Sequence, residues 1–518
     1  MTAINNSILT LILLVPLVGA LLVALLPERG TRSKWIALAT SLLTFVLTLH
    51  LPAHFIPGQS GFQFEVNWQW LESPAVFYHV GVDGLSLWLV VLVGLLAPVG
   101  VVASWKAIHE RRKIFYSLFL LQQTAMFGVF LSLDLLLYYC FWELSLVPMA
   151  ILIAMYGRKN GPRAALKFFL FTFIPSAPLL VAILWLYAQT GSFNFITLQT
   201  AIARGGFGSW PLFWLALAFL FAFAVKVPVF PLHGWLADTF SEAPVALAMV
   251  VAGKLGLYSL LRFHIGLFPQ QARDVAPMLV GLAVVGVLYG ACLALVQRDF
   301  WRLMAYAALS HLSMITLGIY GLTLTGWEGA VYQMLNHGVV DGALFLLLGV
   351  LYDSYGSSEI TAYGGLAGKL PRTATFFMIA SLAMIGLPLL GNFVGEFLIL
   401  LGTFTGVSKG WAIAATLGMI PGAAYMLWLI QRLFFGPESA LALSKPPEDL
   451  RRGQMAVVWP LAALMLLMGV APGLWLPAIE QGIHLPQAAE QWNGPAVTPP
   501  SAPPQSALPA STNGEERQ

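Results

Sequence analysis

Charge is what this sequence has least of. Only 9% of its 518 residues are Asp, Glu, Lys or Arg, and 58% are hydrophobic, whereas a soluble domain carries about 25% charged residues. That shortage excludes a water-exposed globular surface and leaves no basic face for nucleic acid. Cysteine is nearly missing too. Cys140 and Cys292 stand alone in separate apolar stretches, without CxxC or ferredoxin-type spacing, so the chain by itself holds no iron–sulfur cluster. A glycine-rich dinucleotide turn between strand and helix is also missing. No signal-peptide cleavage pattern follows the first apolar run, and residues 8–26 read as a membrane helix. With no redox centre in this chain, any redox chemistry belongs to another subunit.

What the sequence has is long apolar runs. Runs of spanning length fall near 7–26, 34–51, 84–105, 114–133, 134–156, 165–188, 211–232, 244–266, 275–297, 301–322, 328–352, 373–401, 411–435 and 455–477. They predict an all-α polytopic membrane protein with about 14 transmembrane helices, followed by a Pro/Ala/Gln/Ser-rich disordered tail over 478–518. Loops after odd-numbered helices, with the adjoining helix ends, carry eighteen Lys and Arg; the opposite loops and the tail carry five: Arg204, Arg262, Arg273, Lys409 and Arg517. The positive-inside rule then expects both termini outside the cytoplasm, in a multi-pass protein of the inner (plasma) membrane.

Against this background a few ionisable residues stand out: Glu143, Lys226, Lys254, His311, His337, Asp341 and Glu396. Each costs about 2.5–3.5 kcal/mol at bilayer depth on insertion scales for charged groups. A single buried pair can merely lock helix register, and a histidine can merely bond a carbonyl. Seven such groups on six helices are better explained as a proton relay. His337 and Asp341, spaced i and i+4, share one helix face. Lys167, near a helix start, reads as a snorkelling residue, and Asp134 as a helix cap.

Helix breaks add a second signal. Pro228 and Pro231 follow Lys226, and Gly386, Pro388 and Gly391 precede Glu396, so the seventh and twelfth helices should be interrupted. Interrupted helices five apart suggest two inverted five-helix repeats, with freed backbone groups lining hydrated cavities. The expected organisation is helices 1–3 over 1–110, a first antiporter-like half over 111–268 (helices 4–8), a second over 269–436 (helices 9–13), a loop and helix 14 over 437–477, then the tail.

The stretches Phe141-Trp142-Glu143-Leu144-Ser145-Leu146-Val147-Pro148-Met149, Ala224-Val225-Lys226-Val227-Pro228-Val229-Phe230-Pro231-Leu232-His233-Gly234-Trp235-Leu236 and Gly395-Glu396-Phe397-Leu398 closely resemble the antiporter-like membrane subunits of respiratory complex I, Mrp-type antiporters and membrane-bound hydrogenases. Within that family the subunit M (chain 4) type is favoured. The resemblance covers the first helix through the fourteenth. It implies that Glu143 pairs with Lys226, that Lys254, His311 and His337 carry a central hydrophilic axis, and that Glu396 is its terminal acid. The expected proton order is Lys226, Lys254, His311, His337, Glu396.

The resemblance further implies a proton-translocating subunit of a NADH:quinone oxidoreductase. NADH, FMN, iron–sulfur clusters and quinone would sit in partner subunits, and other antiporter-like subunits would be the neighbours. An Mrp-type antiporter or hydrogenase subunit, or a non-pumping scaffold, are the alternatives. Three departures from the family pattern suggest a divergent paralogue with altered proton uptake: Ala237 and Phe240 replace a usual proline and histidine, Asp341 a usual serine, and Pro175 and Pro178 interrupt the sixth helix.

Overall fold

The computed structural model describes residues 5, 7–28, 30–59, 61–247, 254–444 and 448–483. Among them, eleven helices are long and apolar enough to cross a membrane, and three shorter ones are apolar as well. The first three helices are α1 (Ile8–Leu25), α2 (Arg32–His54) and α3 (Leu87–Ala103). Between α2 and α3 lies an antiparallel hairpin, β1 (Gln63–Leu71) and β2 (Val76–Val82), with Val66 opposite Val80 and Trp68 opposite Tyr78. No apolar run of spanning length marks this hairpin, so a reading tuned to membrane helices passes over it.

Next come α4 (Arg112–Leu131), α5 (Leu135–Leu144), α6 (Leu146–Tyr156) and α7 (Gly161–Thr190). Asp134 caps α5 as expected: Oδ1 accepts from the N–H groups of Leu136 and Leu137 at 3.0 and 3.1 Å, and Oδ2 from Phe77 at 3.2 Å. The expected break at Pro175 and Pro178 does not occur. Helix α7 runs through both prolines, because a helix packed among others can re-satisfy the few backbone groups that proline frees.

The short helix α8 (Phe195–Ala203) leads to α9 (Ser209–Lys226) and α10 (Leu236–Glu242), the two pieces of the first interrupted helix. Then α11 (Lys254–Ser259) widens into a π-turn over Leu260–Ile265. Helices α12 (Pro269–Leu295), α13 (Phe300–Tyr320) and α14 (Leu324–Tyr355) follow, and α15 (Pro371–Ile385) and α16 (Gly391–Thr405) form the second interrupted helix. The chain continues through α17 (Lys409–Leu417), α18 (Met419–Phe434), α19 (Arg452–Val470) and α20 (Leu476–Ile483).

The centre of the bundle is α14, which packs on α3, α13, α15, α16, α19 and α20. Its 32 residues are buried throughout the most apolar window. His337 and Asp341 on this helix, both fully buried, therefore face only other helices.

Two sequence expectations need correction here. Arg262, counted at the end of the eighth run with the loop that follows, does not face that side of the membrane. It lies in the π-turn, fully buried, with its guanidinium on Asp83 and its Nε donating to the Tyr258 hydroxyl at 3.1 Å. A cation this deep is tolerated because its charge is paired and hydrogen-bonded, and the basic-poor side of the protein loses one more residue. The chain also stays ordered past Ala478, since α20 extends to Ile483 with Ala478 and Ile479 buried and its backbone against Gly84. The remainder of the expected tail, 484–518, lies outside the described residues.

Candidate functional site: a buried line of charged groups

The first interruption follows Lys226 directly. Pro228 and Pro231 cannot donate to a helical ladder, and the exposed carbonyls find other donors: Val229 N–H reaches Ala224 at 2.9 Å, and the Trp235 indole reaches Val225 at 3.0 Å. Lys226 is thus left at the C-terminal end of α9, where helix carbonyls favour a cation. Its ammonium donates to the Ser145 hydroxyl at 3.2 Å and lies 4.8 Å from the centre of the Trp142 ring. Glu143, on the same turn as Trp142, is farther from Lys226 than the 4.0 Å of an ion pair, and its buried Oε1 has no hydrogen-bond partner. The expected Glu143–Lys226 pair is therefore open. Ser145 was not singled out from the sequence, because a neutral hydroxyl is inexpensive in a helix and carries no distinguishing signal. A cavity of about 20 Å³ borders Lys226, Ser145 and Gln122, enough for a single water molecule.

The remaining groups converge on α14. Lys254 Nζ lies 3.9 Å from Asp341 Oδ2, and His337 Nδ1 lies 2.8 Å from the same oxygen. The His337 and His311 rings are 5.3 Å apart, and His311 Nδ1 is 3.3 Å from Glu396 Oε1. Gln333, one turn before His337, donates to Glu396 at 3.3 Å. A second cavity of about 20 Å³ borders His311, Glu396 and Tyr425. The spatial order is thus Lys254, Asp341, His337, His311, Glu396. The two histidines are exchanged relative to the sequence expectation, because a sequence assigns residues to helices but not helices to neighbours. Lys254 Nζ and both Asp341 oxygens lack a well-aligned hydrogen bond among the described residues.

Two glycines make these approaches possible. A Cβ at Gly338 would stand 2.6 Å from Leu92 Cδ2 and 3.1 Å from Lys254 Cε, so the missing side chain leaves room for the lysine beside α14. Gly386 ends α15 with φ +80°, and a Cβ there would lie 2.6 Å from Glu396 Oε2. The left-handed conformation alone costs a non-glycine residue about 1–2 kcal/mol. Gly436 has a similar φ of +83° with nothing within 4 Å. Gly386→Ala is therefore expected to lower the thermal stability of the assembled protein and slow translocation, whereas Gly436→Ala lowers stability only. Equal effects of the two would separate Gly386 from Glu396.

Lys167 differs from expectation. It is paired with Asp238 of α10 at 2.6 Å, and Asp238 also receives Arg302 of α13 at 3.6 Å. The half-exposed lysine thus ties three helices together rather than snorkelling alone. Phe240 is buried against Phe345 with ring centres 5.3 Å apart. Arg158 caps the end of α10, donating to the carbonyls of Phe240 and Ser241 and stacking 4.1 Å over Trp301.

A helical membrane bundle with two interrupted helices and ionisable groups gathered at and between them is a transporter-type architecture. The chain belongs to the family described as NADH:quinone oxidoreductase/Mrp antiporter, TM, whose profile matches residues 132–420. It is 38% identical over 500 residues to NADH-quinone oxidoreductase subunit M of Rhodobacter capsulatus, covering 93% of this chain and 97% of that one. Among solved structures, a chain of respiratory complex I from Thermus thermophilus with bound NADH superimposes with a TM-score of 0.83 at 33% identity, covering 92% of this chain and 99% of that chain. A chain of the Mrp complex of Dietzia sp. shares the fold, with a TM-score of 0.82 at 20% identity over 95% of this chain and 98% of that one.

Proposed function

We propose that this chain is a proton-translocating membrane subunit of a NADH:quinone oxidoreductase, moving protons through Glu143, Lys226, Lys254, Asp341, His337, His311 and Glu396. The observation that carries the reading is the run of contacts from Lys254 to Glu396, in which five ionisable groups on four helices follow one another inside the bundle. Each can bind and release a proton, and the water-sized cavities at Lys226 and His311 offer places for the short transfers that direct contacts leave uncovered. Lys226 alternates between two settings. In one it rests on Ser145 and Trp142; in the other it closes on Glu143. Redox work in partner subunits, which hold the NADH, FMN, iron–sulfur and quinone sites, drives the alternation.

The two halves, 111–268 and 269–436, each contribute one interrupted helix. The protein lies in the inner membrane beside other antiporter-like subunits, with both termini outside the cytoplasm. Asp341 is the position that sets this chain apart, because a carboxylate here faces Lys254 and His337 together. Asp341→Ser is expected to leave assembly intact and displace the pH profile of proton pumping by about 1 pH unit or more. The measurement is proton uptake by vesicles containing the assembled complex, across a pH series. An unmoved profile would make Asp341 a packing residue and take it out of the relay.

A further inference from the structure

A cavity of about 370 Å³ lies at one end of the bundle, far roomier than the two water-sized spaces of the relay. Helices α2 and α19 begin beside it, at Arg32 and Arg452, while α3 and α14 end beside it, at Ala103 and Tyr355. Four helix ends at one level place it at the boundary between hydrocarbon and water. Its walls match that position. Leu38, Val102 and Ala103 supply the apolar side, and Trp35 and Trp105 meet edge to face at 5.0 Å; tryptophans gather at such interfaces because one end of the ring system is apolar and the other polar.

The polar side holds two cations, with the carboxylate of Asp353 on α14 lining the same cavity. Lys106 and Arg451 line the cavity. Both bind the same Glu448 carboxylate, at 3.0 and 2.7 Å. Beneath them Lys34 donates to the Trp105 carbonyl and lies 5.8 Å from its ring centre. All three partners of the Lys106–Glu448–Arg451 bridge are more than 40% exposed, and exposed pairs of this kind add little to stability. Glu448 is thus an exchangeable anion held by two cations at the mouth of an amphipathic groove. The loop that carries it is fixed from the other side, where Asp449 accepts from the N–H groups of Arg372 and Thr373 at 2.9 and 3.0 Å, so Arg451 stays in place when Glu448 swings away.

We propose that this groove binds one anionic glycerophospholipid, its phosphate taking the place of the Glu448 carboxylate between Lys106 and Arg451 and an acyl chain running along Leu38 and Val102 beneath the two tryptophans. Basic clusters at a membrane boundary recognise anionic headgroups in this way. A zwitterionic lipid fits less well, because its headgroup cation would stand beside Lys106 and Arg451 with Asp353 as the single lining carboxylate to balance it.

The test uses the assembled complex, exchanged into dioleoyl phosphatidylglycerol or dioleoyl phosphatidylcholine and washed in detergent, with retained lipid counted by native mass spectrometry. Wild-type complex is expected to keep one more phosphatidylglycerol than a K106A/R451A variant. E448Q, which removes the competing carboxylate, is expected to resist a detergent wash at least twofold longer than wild type. Phosphatidylcholine retention should be alike in all three. Equal phosphatidylglycerol retention in all three proteins, as when a neighbouring subunit fills the groove, would overturn the proposal, and so would equal retention of the two lipids. Since the two variants act in opposite directions, a failure of either to assemble leaves the other decisive.

Discussion

Lys226→Ala abolishes proton translocation coupled to quinone reduction while the NADH-oxidising subunits remain in place: this is the largest functional effect expected of any single substitution in the chain. The lysine is the cation at the end of α9, and three groups compete for it or cushion it: Ser145, Trp142 and Glu143. No other described side chain at this break carries a positive charge, so alanine removes the group that binds the proton and leaves Glu143 without a partner to close on. The measurement is dye-reported acidification of vesicles, with NADH consumption followed in parallel. Acidification should fall at least tenfold. A complex that still pumps would exclude Lys226 from the path, and a complex that fails to assemble, with no loss of pumping in the fraction that does, would make the charged groups a scaffold. Ser145→Ala provides a graded comparison: it removes only the hydroxyl that holds Lys226 in the open setting, and should lower the pumping rate without ending it.

The largest structural effect is expected at Arg262. Its guanidinium is wholly buried, and Asp83 is the carboxylate that balances it across a separation of 179 residues. Asp83 also orders the start of α3 by accepting from Ser86 N–H at 3.2 Å, and Tyr258, the other partner of Arg262, donates to the Phe130 carbonyl at 3.1 Å. Removing one member of a buried pair strands the other charge and costs about 3–5 kcal/mol. Arg262→Met should therefore cut the yield of assembled protein severely. A double variant, Arg262→Met with Asp83→Leu, should recover most of it, because two apolar groups of similar size leave no charge behind. Yield is read by size-exclusion chromatography of the solubilised membrane. Normal assembly of the single variant would exclude the pair as a fastening between α11 and α3.

These two residues also mark what a one-dimensional reading reaches. Lys226 was legible because a charge before two prolines in an apolar run has few bland explanations. Glu143, Lys254, His311, His337, Asp341 and Glu396 stood out for the same reason: the membrane makes ionisable groups conspicuous. The helical class and both interruptions followed from run length and from proline and glycine chemistry. Arg262, by contrast, read as an ordinary cation at the end of the eighth run, because its partner is far away in sequence and the π-turn leaves no compositional mark. The β1–β2 hairpin carries no spanning run, Ser145 and Gln333 carry no charge, and Pro175 and Pro178 do not end their helix because it is supported by its neighbours. The exchange of His311 and His337 has the same root, since which helices adjoin is decided by packing across the whole bundle.

The contiguous line of groups has a consequence in its electroneutrality. Counting Lys226 and Lys254 against Glu143, Asp341 and Glu396, the fully ionised set holds two positive charges and three negative ones. In a medium that screens charge poorly, the resting arrangement is the one closest to zero. Here that takes one proton beyond the fully ionised set. With serine at 341 the same set would already balance without it. In the proposed relay the aspartate therefore makes the line's neutrality depend on a proton that a serine in its place would not require.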